Sequence, residues 1–250
     1  MKKLLLGAMA LVLLGACSKK NVEIAGDIKG LADTKAVLNK LDGGRPTPID
    51  TVEVKGGKFK FELAKTDALL YIVTLEGHQE PIAFFGGDDD VTINGASAEL
   101  SKVKAEGGEM TKLFDKFNNE IPKVERSKAL RGDYMKAQMA GDTATMMSLR
   151  SEYENISTEQ KAYFDKFLAD NMNNSVGAFI ALNMAMGMEP AKVKEMFAKF
   201  EKALPNHPYI AEMKKMQQAM EQMQQMQMQQ QMNAAAGQGG EAAAAPQGQK

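Results

Sequence analysis

Tryptophan is absent from this 250-residue chain, histidine occurs twice and cysteine once. A single cysteine excludes an internal disulfide, a Cys-x-x-Cys redox pair and any multi-cysteine zinc site. His78 and His207 are the only imidazoles, and they lie in distant segments with no supporting ligand motif. An excess of either charge is also missing, because 31 Lys and Arg face 32 Asp and Glu. That balance removes any general electrostatic reason to bind DNA, RNA or an anionic membrane. No Ser/His/Asp or Cys/His constellation, paired-carboxylate motif or dinucleotide fingerprint stands out. The chain therefore reads as a non-enzyme with no cofactor. Apolar residues are not scarce: they make up 44% of the chain, close to the average for globular proteins and enough for a core. The length allows one or two domains.

The N-terminus carries the most specific signal. Lys2 and Lys3 precede an apolar run from Leu4 to Leu14. That run is too short to span a bilayer, which takes about 20 apolar residues, so residues 1–16 read as a signal peptide. It ends in Leu14-Gly15-Ala16-Cys17, which closely resembles the lipobox of bacterial lipoproteins. The resemblance implies diacylglycerol transfer to the Cys17 thiol and cleavage before it. The chemistry fits: small residues let a protease approach the backbone, and a thiol is the nucleophile such a transfer needs. Residues 17–21 then form a linker to the membrane. Two or three acyl chains hold a protein where one does so only marginally. Ser18 is not the Asp that retains some lipoproteins at the inner membrane, and no acidic run follows. The expected place is the outer membrane, facing the periplasm.

Residues 22–107 read as strands. Val22 to Ile28 alternates, Lys35 to Leu41 closes on Asp42-Gly43-Gly44, and Ile49, Val52 and Val54 mark another extended run. Lys55-Gly56-Gly57-Lys58 is a tight hairpin signal. Phe59, Phe61 and Leu63 alternate with Lys60 and Glu62, and Leu69 to Leu75 is continuous enough for a central strand. Pro81 to Phe85, Val91 to Ile93 and Lys102 to Glu106 complete the set. Short strands at this spacing with Gly/Asp turns predict an antiparallel β-sandwich.

After Gly107-Gly108 the apolar period changes from two to about 3.6. Met110, Leu113, Phe114, Phe117 and Ile121 share a helical face that Pro122 interrupts or kinks. Gly141-Asp142 reads as a helix end followed by an N-cap. Met146, Leu149, Tyr153, Ile156, Tyr163, Phe164 and Phe167 form the next stripe. Asn174-Ser175 caps a third helix, Pro190 opens a fourth and Asn206-His207-Pro208 a fifth. Residues 109–232 are thus an all-α segment of four to five helices ending in a Met/Gln-rich helix. Residues 233–250 contain nothing to bury and read as a disordered tail. The fold class is α+β.

The order lipobox, strands, helices contains Ile49-Asp50-Thr51-Val52, Gly57-Lys58-Phe59-Lys60-Phe61 and Gly87-Asp88-Asp89-Asp90-Val91-Thr92-Ile93. Downstream lie Asn174-Ser175, Phe179 and Leu204-Pro205-Asn206-His207-Pro208. Over residues 1–215 this closely resembles a family of Gram-negative lipoproteins with an N-terminal β domain of unknown function. In many members that domain and a helical linker precede a thioredoxin-like domain of the alkyl-hydroperoxide-reductase/thiol-antioxidant type. That part would begin near residue 245 and carry Trp-Cys-x-x-Cys, which this sequence lacks. Thiol–disulfide exchange needs an attacking thiolate and a partner sulfur, so the chain is not a dithiol oxidoreductase by itself.

Other motifs are weak. Asp88-Asp89-Asp90 lacks EF-hand spacing and reads as an acidic hairpin turn. Gly56-Gly57-Lys58 is not a phosphate loop, and Arg131-Gly132-Asp133 beside a helix break reads as a chance tripeptide. Asp50-Thr51-Val52 and Asp142-Thr143-Ala144 resemble the acceptor of a periplasmic O-glycosylation system, with Thr143, at an inter-helix turn, a better candidate than Thr51. Met213, Met216, Met220, Met223, Met226 and Met228, with Met232 beyond them, supply soft thioethers that suit Cu(I). Four of them also fall on a hydrophobic seam, where Met is a pliable packing residue. The expectation is a non-catalytic envelope lipoprotein that binds or scaffolds a protein partner, with the Met/Gln helix as contact surface. The alternatives are a non-catalytic half of, or accessory to, a thioredoxin-linked system, and Cu(I) binding by the Met cluster.

Overall fold

The computed structural model describes residues 20–42 and 44–240. Eight strands come first: β1 Asn21–Lys29, β2 Thr34–Asp42, β3 Arg45–Val54, β4 Lys58–Ala64, β5 Leu69–Leu75, β6 Ile82–Gly86, β7 Val91–Ala96 and β8 Lys104–Glu106. A 3₁₀ turn at Ser97–Lys102 separates the last two. Six helices follow: α1 Glu109–Glu120, α2 Val124–Met139, α3 Thr143–Asp170, α4 Ser175–Ala185, α5 Pro190–Ala203 and α6 Pro208–Gly240. The class is α+β, as the switch of period at Gly107-Gly108 implies.

Two four-stranded sheets, ordered β4-β1-β7-β8 and β3-β2-β5-β6, enclose the strand core. Alternation decides what points inward. Val22, Ile24 and Ile28 of β1 and Phe59 and Phe61 of β4 are buried, while Lys58, Lys60 and Glu62 face water. Gly26 sits opposite Phe59 in the register. The Phe59 ring occupies the place of a side chain there, since a Cβ on Gly26 would lie 2.2 Å from it. At the hairpin, Gly57 has φ +80° and its missing Cβ would strike the Ile28 carbonyl oxygen at 2.2 Å. Only glycine tolerates both conditions.

The sandwich departs from the antiparallel expectation at one pairing. β1 and β7 run parallel, with Ile24 opposite Val91 and Lys29 opposite Ala96. The other strand pairs are antiparallel. A parallel pair needs a long crossover rather than a hairpin, and here strands β2 to β6 supply it. No local turn signal announces such a pairing. β5 is the expected central strand, between β2 and β6. Leu69, Tyr71, Val73 and Leu75 share one face of it and are buried with Leu38 and Ala36 of β2, while Leu70, opposite Phe85, is buried on the other face, which the helices approach.

The helices attach at one end of the sandwich. That end holds the start of β1, the end of β8 and the connections Ala64 to Leu69 and Gly86 to Val91. Phe85 of β6 is the hub, its ring 5.1 Å from Phe114, 5.7 Å from Phe179 and 6.5 Å from Tyr209. The hydrophobic core therefore runs without interruption from Ile24 to Met213.

Pro122 breaks the helix outright, so the described residues hold six helices rather than four to five. Lys123 adopts a left-handed conformation, φ +53°, between α1 and α2. Gly141, φ +69°, ends α2. The Asp142 carboxylate accepts from the Thr145 backbone N–H at 3.0 Å to start α3. Asn174 caps α4 through the Gly177 N–H at 2.9 Å, and Pro190 opens α5. The α6 backbone is helical as far as Gly240. The rest of the expected tail, residues 241–250, lies outside the described residues, as do the expected signal peptide and Cys17.

Candidate functional site

The helical half carries an arm. α2 and the first half of α3 form an antiparallel pair whose own core is small: Leu130, Ala137, Leu149 and Ile156, with Met146 against them. The second half of α3 returns to the body, where Tyr163, Phe164 and Phe167 surround Phe117 of α1. The Tyr163 hydroxyl donates to the Phe117 carbonyl at 2.9 Å.

Polar links hold the arm together along one side. Arg126 donates twice to Glu152 of α3, at 2.6 Å from Nε and 2.6 Å from Nη2, and at 2.6 Å to Asp133 of α2. This planar fork suits a bidentate carboxylate. Hydrogen bonding to Glu152 and then to Asp133 holds the guanidinium more firmly protonated, and Arg126 in turn holds the Glu152 carboxyl below its usual range. Lys123 pairs with Glu159 at 2.7 Å, and Gln160 donates to the Pro122 carbonyl at 2.9 Å. Arg131-Gly132-Asp133 lies inside α2 rather than beside a helix break, and its Asp is bound to Arg126.

The opposite side is apolar and uncovered. Tyr134, Met135, Met139, Met147 and Tyr153 are all exposed. Leu130, Tyr134, Met135, Leu149 and Tyr153, with Arg131 and Arg150, line a groove of about 680 Å³ between α2 and α3. Exposed Tyr, Met and Arg around an apolar floor is the residue mixture enriched at protein interfaces.

The junction between sheet and helices holds buried polar groups that no local motif reveals. The Leu70 N–H donates to the Tyr209 hydroxyl at 2.8 Å, and the Thr111 hydroxyl donates to the Phe85 carbonyl at 2.6 Å. Burial pushes the Tyr209 phenol well above its ordinary value, with the hydrogen bond from Leu70 opposing it. His207 Nε2 lies 2.8 Å from Ser175 Oγ, and Nδ1 accepts the Tyr209 backbone N–H at 3.2 Å. Burial keeps this ring neutral against the Asp67 charge and the Ala68 carbonyl. With Nδ1 accepting, the ring proton sits on Nε2 and is donated to Ser175. A general base for that hydroxyl would need a lone pair there. The pair is a structural clamp between α4 and α6.

The acidic turn is likewise structural. Asp90 accepts from the Glu23 N–H at 2.8 Å, and Asp89 accepts from the Asp90 N–H at 2.9 Å. Burial raises the Asp88 carboxyl above its ordinary value, the Asp89 charge adds to this, and Lys65 opposes it. Among the described residues, no group of three or more His, Cys, Asp or Glu could hold a metal ion.

The methionines do not form one cluster. Met213 is inside the core, and Met216 and Met220 pack against it. Met223, Met226, Met228 and Met232 are exposed. At about 100° per residue, Met226 and Met228 fall on nearly opposite sides of α6. The expected set of six therefore cannot converge on one ion within one chain, and Met213 is removed from it. Thr143 is exposed as the first residue of α3 rather than in a turn, and Thr51 is exposed on edge strand β3. Among the described residues no helix is long and apolar enough to cross a membrane.

Residues 22–114 match the family model described as a domain of unknown function (DUF4369). The match takes in the eight strands and the opening of α1, and leaves the arm and α4 to α6 outside it. Comparison with curated proteins and with solved structures finds no match.

Proposed function

We propose that this chain is an envelope lipoprotein, anchored through Cys17 and without catalysis of its own, that binds or scaffolds a protein partner. The observation that carries the binding role is the α2–α3 arm. Its small core leaves Tyr134, Met135 and Tyr153 in water along one groove, with Met139 and Met147 exposed besides, where a solitary arm would gain by covering them. The Met/Gln end of α6 is the lesser surface, since the first half of its seam is already packed. The anchor reading rests on Leu14-Gly15-Ala16-Cys17.

Intact mass of the protein from its own envelope tests the anchor. The expected mass is residues 17–250 plus acyl groups, and an unmodified Cys17 overturns it. Crosslinking in the same envelopes tests the binding role. One heterologous adduct is expected, lost in Met135→Glu/Met139→Glu, and an adduct that survives this change removes the arm from the reading.

A second reading rests on the sequence resemblance, of which the match over residues 22–114 supports the β domain alone. As the resemblance to thioredoxin-linked lipoproteins implies, the chain would be a non-catalytic half of, or accessory to, a thiol-redox system. A reading frame continuing past Lys250 into Trp-Cys-x-x-Cys supports that reading, and a stop codon with no redox neighbours removes it. O-glycosylation at Thr143 or Thr51, visible in the same mass spectrum, would alter surface properties and not activity.

A further inference from the structure

We infer that the groove on the α2–α3 arm receives an acidic amphipathic helix of a partner protein, its apolar stripe on Tyr134, Met135 and Tyr153 and its carboxylates on Arg131 and Arg150. This deepens the partner-binding reading above and rests on it.

The charges of the arm are sorted by side. Asp133 and Glu152 are held by Arg126, Glu125 by Lys128 at 2.8 Å and Glu159 by Lys123 at 2.7 Å. The groove lining contains two arginines and no carboxylate. Arg150 reaches Glu154 along its own helix at 3.2 Å. Arg131 has no ion pair among the described residues; one turn away from it lie Ser127, Lys128, Tyr134 and Met135. A chain with formal charge -1 thus sets two arginines, one of them shared with Glu154, beside an exposed apolar surface. A guanidinium in that setting forks onto a carboxylate, and apolar walls strengthen the pairing by excluding water.

Shape narrows the occupant. The 16 residues of α2 span about 24 Å at 1.5 Å per residue. The groove lining runs along α2 from Ser127 to Met135, about 12 Å at 1.5 Å per residue, and accepts about two turns of a third helix, read through anchors at i, i+3, i+4 and i+7. The arm's four buried side chains make a thin core, which a third helix would thicken. A second copy of this chain fits less well, because two-fold pairing sets the same patch on both sides and would bring arginines against arginines.

The test uses two fluorescent 16-residue helical peptides with one Leu/Tyr stripe, flanked by Glu in one and by Lys in the other. Their binding to the full chain is read by anisotropy, together with the Arg131→Gln/Arg150→Gln variant. The acidic peptide should bind at least tenfold tighter than the basic one, and the preference should collapse in the variant and weaken with added salt. Equal affinities, no binding of either peptide, or a preference that survives the variant overturns the inference. Circular dichroism of the variant guards against misfolding, with Arg131→Lys/Arg150→Lys, which should retain most of the preference, as a second check. A photo-crosslinker at Tyr134 in native envelopes supplies the independent arm. An adduct mapped to an acidic helical segment supports the inference, and an adduct to a second copy or to lipid overturns it. A protein adduct indifferent to the arginines also overturns it, but leaves the partner-binding reading standing.

Discussion

Tyr209→Phe deletes one oxygen and tests whether the helices and the sandwich are locked together. The ring contacts with Phe179 at 5.8 Å and His207 at 5.2 Å remain, as does that with Phe85. What disappears is the acceptor for the Leu70 N–H, 2.8 Å away and buried. Leu70 lies just past the β2 pairing, which ends on β5 at Tyr71. A buried donor left without a partner costs about 1–3 kcal/mol. In a protein of this size each kcal/mol moves the melting temperature by roughly 2–4 °C, so a loss of roughly 4–8 °C is expected for the middle of that range. Urea unfolding of the full chain carrying Cys17→Ser would be followed by circular dichroism and by amide exchange at Leu70. Leu70 should lose most of its protection in the variant. A stability change below about 0.5 kcal/mol, the scatter of surface substitutions, would refute the claim that this hydrogen bond seals the junction.

His207 gives the junction a pH dependence. Its ring is held neutral below the ordinary value of 6.5, so as pH falls through 6.5 the unfolded chain binds the proton first. Stability is then full above about pH 7.5 and declines below 6.5 until the folded ring protonates. Urea midpoints at pH 8.0 and 5.5 should differ less in His207→Gln, and equal slopes in the two proteins would contradict this. Met213→Ala should cost about 2–5 kcal/mol as a core truncation, and Met228→Ala within about 0.5 kcal/mol as a surface change, both read by urea unfolding. Equal effects would restore a shared role for the two methionines. Gly57→Ala meets both a positive φ and the Ile28 carbonyl, so a loss of about 1–3 kcal/mol is expected for the strained conformation alone, read as a lower melting temperature. Arg126→Met should speed amide exchange across residues 124–139 while leaving β5 protected. Unchanged exchange in α2 would mean the Glu152 and Asp133 pairs do not hold the arm.

Features dictated by neighbours in the chain were legible in the sequence. Phe59 and Phe61 alternating with lysines identify a half-buried strand, Gly56-Gly57 a hairpin, and Gly141-Asp142 and Asn174 helix ends, because each acts within a few residues. The parallel β1–β7 pair, by contrast, joins residues 67 apart, Ile24 and Val91 among them. The clamp joins Ser175 to His207, and Tyr209 reaches back to Leu70. Nothing local marks these, since each partner looks ordinary until the fold brings the other to it. The arm was hidden for another reason: α2 has apolar residues on both flanks, Leu130 and Ala137 inward and Tyr134, Met135 and Met139 outward. A single-face periodicity does not resolve such a helix. The methionine seam shows the opposite case, in which a strong periodicity at Met213, Met216 and Met220 marked packing inside this chain, not a ligand set.

The position of β1 has a mechanical consequence. It is the first strand among the described residues, yet it lies inside its sheet, flanked by β4 from Asn21 to Asp27 and by β7 from Ile24 to Lys29. Its hydrogen bonds run roughly perpendicular to the strand, so a pull on the chain before Asn21 loads both ladders together in shear. An edge strand peeled from its end would surrender its bonds one at a time. A tether attached ahead of Asn21 would thus draw on the strongest direction of the sandwich, leaving the arm, attached through α1 and the far half of α3, free of that load.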